Sequence, residues 1–171
     1  MTAPNFCMLL RKHVGNARIV GISQPRLERI INIQLEHLDE LGDIRKKTLI
    51  IEIMGKHSNI IFCDESGRIL DSIKHVSAQM SSVREVLPGR DYFIPDTMHK
   101  LDPLSANPEV FTEMLRSKPM PISKALYSGF TGISPVVAEE ICTISGINSS
   151  MTASDLSDDI MHHLYNQFEI Y

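Results

Sequence analysis

"KTLIIEIMGKHSNIIFCDESGRILDSI", residues 47–73, decides the fold. Three isoleucine-rich runs, 48–54, 59–63 and 68–74, are separated by two short polar stretches. Gly55 to Ser58 and Asp64 to Gly67 have the glycine, serine and aspartate chemistry of tight turns, so the runs predict strands of successive hairpins. Connections this short join antiparallel neighbours, because a parallel pair needs a crossover of a dozen residues or more.

Towards the N-terminus, "QPRLERIINIQLEH" (24–37) alternates from Leu27 onward. Leu27, Arg29, Ile31, Ile33 and Leu35 fall on one face, and Glu28, Ile30, Asn32, Gln34 and Glu36 on the other. Arg29 is the one charge on the apolar face. Either it snorkels to water at a strand end, or it forms with Glu28 an acid–arginine pair placed to touch a ligand. "LEHLDELGDIRKK" (35–47) is polar and predicts a protruding loop or a long hairpin end. Residues 17–23 supply one more strand. "NFCMLLRKHV" (5–14) predicts a short helix with Phe6, Leu9, Leu10 and His13 on one face and Gly15 as its stop.

Towards the C-terminus the periodicity changes. Residues 77–106 lose it, and "LPGRDYFIPD" (87–96) and "LDPLSANP" (101–108) mark an ordered, irregular connection. Asn107-Pro108 then suits an N-cap and first helical position for "PEVFTEMLRS". "SKALYSGF" (123–130) predicts a second helix. Ser134-Pro135 opens a third, "PVVAEEICTIS", stopped by Gly146. Thr152 and Asp155 resemble a capping box before "SDDIMHHLYNQF". The expected architecture is α+β: a β-rich domain over 1–95, a connector over 96–106 and a helical domain over 107–171.

Composition narrows the function. The chain has 171 residues, 43% of them hydrophobic, enough for a packed core. No run of eighteen apolar residues and no basic leader with an apolar stretch is present, which argues for a cytoplasmic protein without a membrane partner. Cys7, Cys63 and Cys142 are odd in number, far apart and without CxxC or Cys/His spacing, so they read as reduced thiols rather than a disulfide or zinc site. Residues 1–95 hold 13 Lys+Arg against 11 Asp+Glu, while 96–171 hold 4 against 10. The first part is thus mildly basic and the second acidic. The sequence has no P-loop, dinucleotide fingerprint, GxSxG or carboxylate dyad, and adjacent His162 and His163 point apart on a helix. No metal, cofactor or catalytic residue is expected.

Two further stretches could touch a ligand. "EIMGKHSNIIF" (52–62) joins two strands through Gly55, Lys56, His57, Ser58 and Asn59. Lys56, His57, Ser58 and Asn59 could hold a phosphate or nucleobase, although Ser58 and Asn59 are also common turn formers. "FTGISPVVAEEI" (130–141) has the outline of a helix-hairpin-helix, in which Gly132 frees the turn and amides near Ser134 could bind a phosphate oxygen. A plain packing hairpin with Ser134 as N-cap is the simpler alternative.

The strings "PNFCMLLRKHV", "IEIMGKHSNII", "DSIKHVS", "VLPGRDY" and "GISPVVAEEICTISGI" resemble the NFACT family, in order and spacing, across essentially the whole chain from Pro4. Bacterial members of that family are fibronectin-binding protein A-like proteins, homologous to the eukaryotic ribosome-quality-control factor that tails stalled nascent chains. The resemblance implies a first domain, an antiparallel sheet or partial sandwich, similar to the N-terminal domain of formamidopyrimidine-DNA glycosylases, followed by a helix-hairpin-helix region. It implies binding to large ribosomal subunits carrying peptidyl-tRNA, recruitment of alanyl-tRNA and alanine tailing, with peptide-bond chemistry left to the ribosome. The family's acid–arginine pair on the tRNA-facing side falls on Glu28 and Arg29. Many members have Asp where this chain has Glu28. The family's leading strands and helix, coiled coil and RNA-binding domain have no counterpart here. The chain therefore resembles an internal fragment, with Met1-Thr2-Ala3 an added start and one sheet edge left open.

Two other functions compete. A surface adhesin binding fibronectin would need export signals the sequence does not offer, so fibronectin is expected at most as a secondary partner. A DNA glycosylase would need a terminal proline amine as nucleophile, and Pro4 is internal.

Overall fold

The computed structural model describes residues 4–96 and 99–171. Met1, Thr2 and Ala3, expected as an added start, lie outside them, as do two residues of the expected connector. The chain divides into two compact units, Met1–Thr97 and Met98–Tyr171.

The first unit is built on one antiparallel sheet. Helix α1 (Asn5–Val14) precedes strands β1 (Arg18–Ser23), β2 (Ile30–Leu38), β3 (Ile44–Glu52), β4 (Asn59–Asp64) and β5 (Ile69–Ser72). The strands lie in sequence order, β1-β2-β3-β4-β5, a meander of hairpins. Ile33 pairs with Leu49 and Leu49 with Phe62; one residue along, Asn32 pairs with Ile50 and Ile50 with Ile61. Successive side chains alternate between faces, and here both faces are apolar. On one, Leu35 and Phe62 pack with Phe6 of α1, joined by Ile33, Leu49, Leu9 and Leu10. On the other, Ile30, Ile50, Ile61, Cys63 and Ile69 pack with Val86, joined by Val76, Tyr92 and Ile94. A helix and an irregular segment therefore cover this single sheet where a sandwich would have a second sheet.

Several expected boundaries shift. β2 starts at Ile30 rather than Leu27, because 24–29 is held as a turn: Glu28 N donates to Pro25 O at 3.1 Å and Gln24 Nε2 to Glu28 O at 2.8 Å. The apolar stripe of β2 is also not the single odd-numbered face; Ile30, on the other face, is 1% exposed while Ile31 is 36% exposed. The polar stretch 35–47 is a long hairpin end and not a loop, since β2 runs to Leu38 and β3 begins at Ile44. Asp39 makes this turn, its Oδ1 accepting from the backbone of Leu41 and of Asp43, both at 2.9 Å. The edges differ. β5 is flanked by 89–92, with Ile69 N donating to Arg90 O and Tyr92 N to Gly67 O. β1 is terminal in the sheet, bulged between Ile19 and Gly21, with Ile19 and Ile22 exposed.

The second unit contains α2 (Pro108–Arg116), α3 (Ile122–Gly129), α4 (Pro135–Ile144) and α5 (Asp158–Ile170). Asn107 caps α2 by accepting from Val110 N, and Ser134 caps α4 by accepting from Val137 N. The Thr152–Asp155 capping box closes a short 3-10 turn, Ala153–Asp155, while α5 is capped separately by Ser157. Phe111, Phe130 and Phe168 meet at the centre with ring centroids 4.7–5.6 Å apart, the first two stacked and the third tilted against both. The thiols of Cys63 and Cys142 are buried, and burial pushes them up to about 12 and about 11.

Candidate nucleic-acid interface

The meander brings the start of β2, the end of β3, the start of β4 and the end of β5 to one end of the sheet. Glu28 and Arg29 sit there, in the turn that feeds β2. Ile53 N donates to Arg29 O at 2.8 Å, extending the β2–β3 ladder one step beyond the Ile30–Glu52 pair. The Arg29 backbone is thereby fixed while its side chain stays exposed; Glu28 is half-buried. The snorkelling and ligand readings share this geometry, because an arginine at a strand's outer end satisfies both.

Directly after β3, the chain makes a 3-10 turn at Gly55–His57. Gly55 takes φ +58°, a left-handed conformation that costs glycine nothing. Ser58 Oγ accepts from Met54 N at 2.9 Å and so braces the turn from inside. Asn59 is buried: its Oδ1 accepts from Ile60 N and Lys74 N, and its Nδ2 donates to Lys74 O at 2.9 Å. The four residues proposed for this stretch therefore divide. Ser58 and Asn59 are committed to the backbone, and Lys56 and His57 are exposed.

Asn59 also fixes the exit of β5. Lys74 Nζ donates to Lys56 O at 3.2 Å, and His75 Nε2 lies 2.6 Å from Asp71 Oδ1. Behind this end, Glu52 is buried and accepts from Arg84 Nη2 at 2.6 Å and Tyr92 Oη at 2.9 Å. Arg84 Nη1 in turn donates to Phe93 O at 2.7 Å. The network clamps the irregular segment onto the sheet and neutralises the carboxylate that sits across from Ile30, next to the Arg29 step of the ladder. Sequence reading missed it, because Glu52 and Arg84 are 32 residues apart and only the Ile30–Glu52–Asn59 register reveals that Glu52 faces inward.

Both ends of the sheet carry exposed cations, and at the far end Lys46 and Arg68 have no ion-pair partner among the described residues. At the far end Arg18 binds Glu36 at 3.0 Å and Arg45 binds Asp39 at 2.7 Å. At the near end Arg26, Arg29, Lys56 and Lys74 have no ion-pair partner among the described residues. Unpaired, exposed cations on a rigid rim suit an anionic ligand.

The family model described as "NFACT N-terminal and middle domains" matches residues 1–171. The chain belongs to the NFACT family. It is 39% identical over 150 residues to the Rqc2 homolog RqcH of Bacillus subtilis, covering 87% of this chain and 26% of that protein. The chain thus spans about a quarter of the length of such relatives. Its structure is similar to the N-terminal part of the fibronectin/fibrinogen-binding protein from Streptococcus suis, with TM-score 0.73, 34% identity, and coverage of 99% of this chain and 59% of that one. It is likewise similar to the fibrinogen binding protein from Staphylococcus aureus, with TM-score 0.76, 31% identity, and coverage of 99% and 60%.

In the second unit of this NFACT chain, the other candidates occupy the turn between α3 and α4. Gly132 has φ +82°. Ile133 packs against the helical core, and Ser134 spends its hydroxyl on Val137 N at 3.2 Å. Pro135 removes one of the free amides that a helix N-terminus would otherwise present. Glu139 follows one turn later, its carboxyl held below the ordinary range by the nearby Ser149 and Ser123 hydroxyls. Both Glu139 and Glu140 are exposed on α4. This geometry serves packing better than phosphate binding. Among the described residues no cluster of His, Cys, Asp or Glu could hold a metal, and no helix is long and apolar enough to cross a membrane.

Proposed function

We propose that this chain is the tRNA-holding module of a ribosome-associated quality-control factor. The observation that carries the reading is Glu28–Arg29 in the turn that feeds β2, Arg29 exposed and Glu28 half-buried, at the same end of the sheet as Lys56 and His57 and without an ion-pair partner among the described residues. An arginine guanidinium stacks on a base or forks onto a phosphate; a carboxylate accepts hydrogens from a base amino group or a ribose hydroxyl. Side by side, the two suit an RNA loop with exposed bases and backbone. The similarity to Rqc2 homologues supports placing this activity on obstructed large ribosomal subunits carrying peptidyl-tRNA, where alanyl-tRNA is recruited and alanines are added to the nascent chain.

On this reading the module is not an enzyme, and peptide-bond formation belongs to the ribosome. The sheet unit corresponds to the glycosylase-like first domain and the α3–α4 hairpin to the helix-hairpin-helix region, acting in the cytoplasm. Fibronectin is a secondary partner, a reading supported by the likeness to the fibronectin/fibrinogen-binding protein from Streptococcus suis. The experiment is to crosslink the protein in its own cells, purify it and sequence the bound RNA. Large-subunit rRNA together with alanine tRNA is expected. Recovery of neither would remove the reading in favour of the adhesin.

A further inference from the structure

Of the three Lys-His dipeptides in the sequence, one lies on α1 (Lys12-His13) and two lie at the same end of the sheet: Lys56-His57 in the turn after β3 and Lys74-His75 just past β5. The two copies are 18 residues apart in sequence and are joined by the Lys74 Nζ to Lys56 O hydrogen bond of 3.2 Å. We propose that Lys74 and His75 form, with Lys56 and His57, a second contact strip for RNA backbone phosphates, flanking the Glu28–Arg29 pair. The inference rests on the tRNA-holding reading above and adds residues to the same surface.

Three features set this strip apart from ordinary surface lysines. First, the Lys74 backbone is immobilised at both its N–H and its C=O by the buried Asn59 amide, with Ser72 Oγ also donating to Lys74 O at 2.9 Å. A buried side chain is thus spent on fixing an exposed cation. Second, an ammonium has three donors, and the contact with Lys56 O uses one. Two remain for phosphate oxygens, at a point where the fold already holds the stem. Third, His75 is 55% exposed in its side chain yet oriented by Asp71, itself 15% exposed, through Nε2, leaving Nδ1 facing away from that carboxylate. A carboxylate–imidazole pair of this kind sets the direction of the ring, as metal and catalytic histidines are set by their partners. Of the acids at this end, Glu52 is neutralised by Arg84 and Asp71 is engaged by His75, while Glu28 has no ion-pair partner among the described residues and offsets one of the four cations Arg26, Arg29, Lys56 and Lys74. The strip carries no pattern of base-reading side chains, so it contacts backbone and not sequence.

The test uses the 171-residue chain and total deacylated tRNA, with affinity measured from low salt to about 0.3 M. Counterion release makes log K fall with log salt in proportion to the phosphates contacted, at roughly 0.7–0.9 per phosphate. Lys74→Gln should weaken binding about three- to tenfold near 0.1 M salt and reduce the slope by about one phosphate. Lys74→Arg should restore the slope, which a loss of packing alone would not allow. His75→Gln should weaken binding with little change in Lys74-dependent slope. If wild-type binds and Arg29→Ala impairs it while Lys74→Gln and His75→Gln leave affinity and slope unchanged, the strip is overturned and the tRNA-holding reading stands. If the wild-type chain does not bind tRNA at all, both fall.

Discussion

Replacing Glu52 by alanine perturbs the most heavily committed charged group of the sheet unit. The carboxylate is 2% exposed and accepts both Arg84 Nη2 contacts at 2.6 Å and the Tyr92 hydroxyl at 2.9 Å. Its removal leaves the Arg84 guanidinium, whose side chain is 13% exposed, without its counter-charge, and leaves the half-buried Tyr92 phenol without its acceptor. Breaking a buried pair by deleting one partner costs about 3–5 kcal/mol, because the remaining ion stays desolvated. A unit of this size moves about 4–8 °C in Tm per kcal/mol, so a loss of at least about 12 °C is expected. Glu52→Gln keeps an acceptor of the same length and should cost clearly less. The double variant Glu52→Ala with Arg84→Met removes both charges and should recover much of the loss. Thermal unfolding followed by circular dichroism gives all three values, and a double-mutant cycle gives the coupling. A Glu52→Ala change below about 1 kcal/mol would refute the view that this pair clamps 84–93 onto the sheet.

In the helical unit, a Cβ on Gly129 would collide with the Met114 side chain. Because the atoms met are the far end of a flexible, half-buried side chain that can move aside, Gly129→Ala should leave stability within about 1 kcal/mol of wild type, measured by urea denaturation. His13 contacts the rings of His37 and Phe62, and burial, reinforced by Lys47, His37 and Lys12, lowers its pKa below 6.5. The unfolded chain then binds the proton more readily than the folded one, so stability should fall as pH drops through 6.5 towards the lowered folded value and level off below it. His13→Gln should flatten that part of the pH–stability curve. Ser134→Asp keeps an N-cap acceptor for Val137 N. It should leave stability within about 0.5 kcal/mol and RNA affinity unchanged, whereas a loss on the order of 1 kcal/mol in affinity would show that this turn touches phosphate.

The meander was legible because its turns are chemically explicit: Gly55 and Gly67 both adopt left-handed φ values that other residues avoid. The N-caps Asn107 and Ser134 were legible for the same reason, each being a local event within three residues. What could not be read was whatever depends on pairing across the chain. Alternation within 24–37 suggests one apolar face, yet Ile30 is buried on the opposite face because residues 76–94 cover it. The roles of Glu52, Asn59 and Lys74 follow from register and from the return of β5 beside β4, which no local pattern encodes. The Lys-His dipeptide was visible three times in the sequence; that Lys56-His57 and Lys74-His75 share one sheet end was not.

The most direct test of the proposed interface is Arg29→Ala, with tRNA binding and stability measured on the same preparation. Arg29 is exposed and contributes only its backbone carbonyl to the sheet. The variant should remain within about 0.5 kcal/mol of wild-type stability, as at a surface site, while its affinity for tRNA falls. If it instead melts the domain, and tRNA binding tracks only the amount of folded protein, Arg29 is a snorkelling strand residue and the interface does not lie at this end of the sheet.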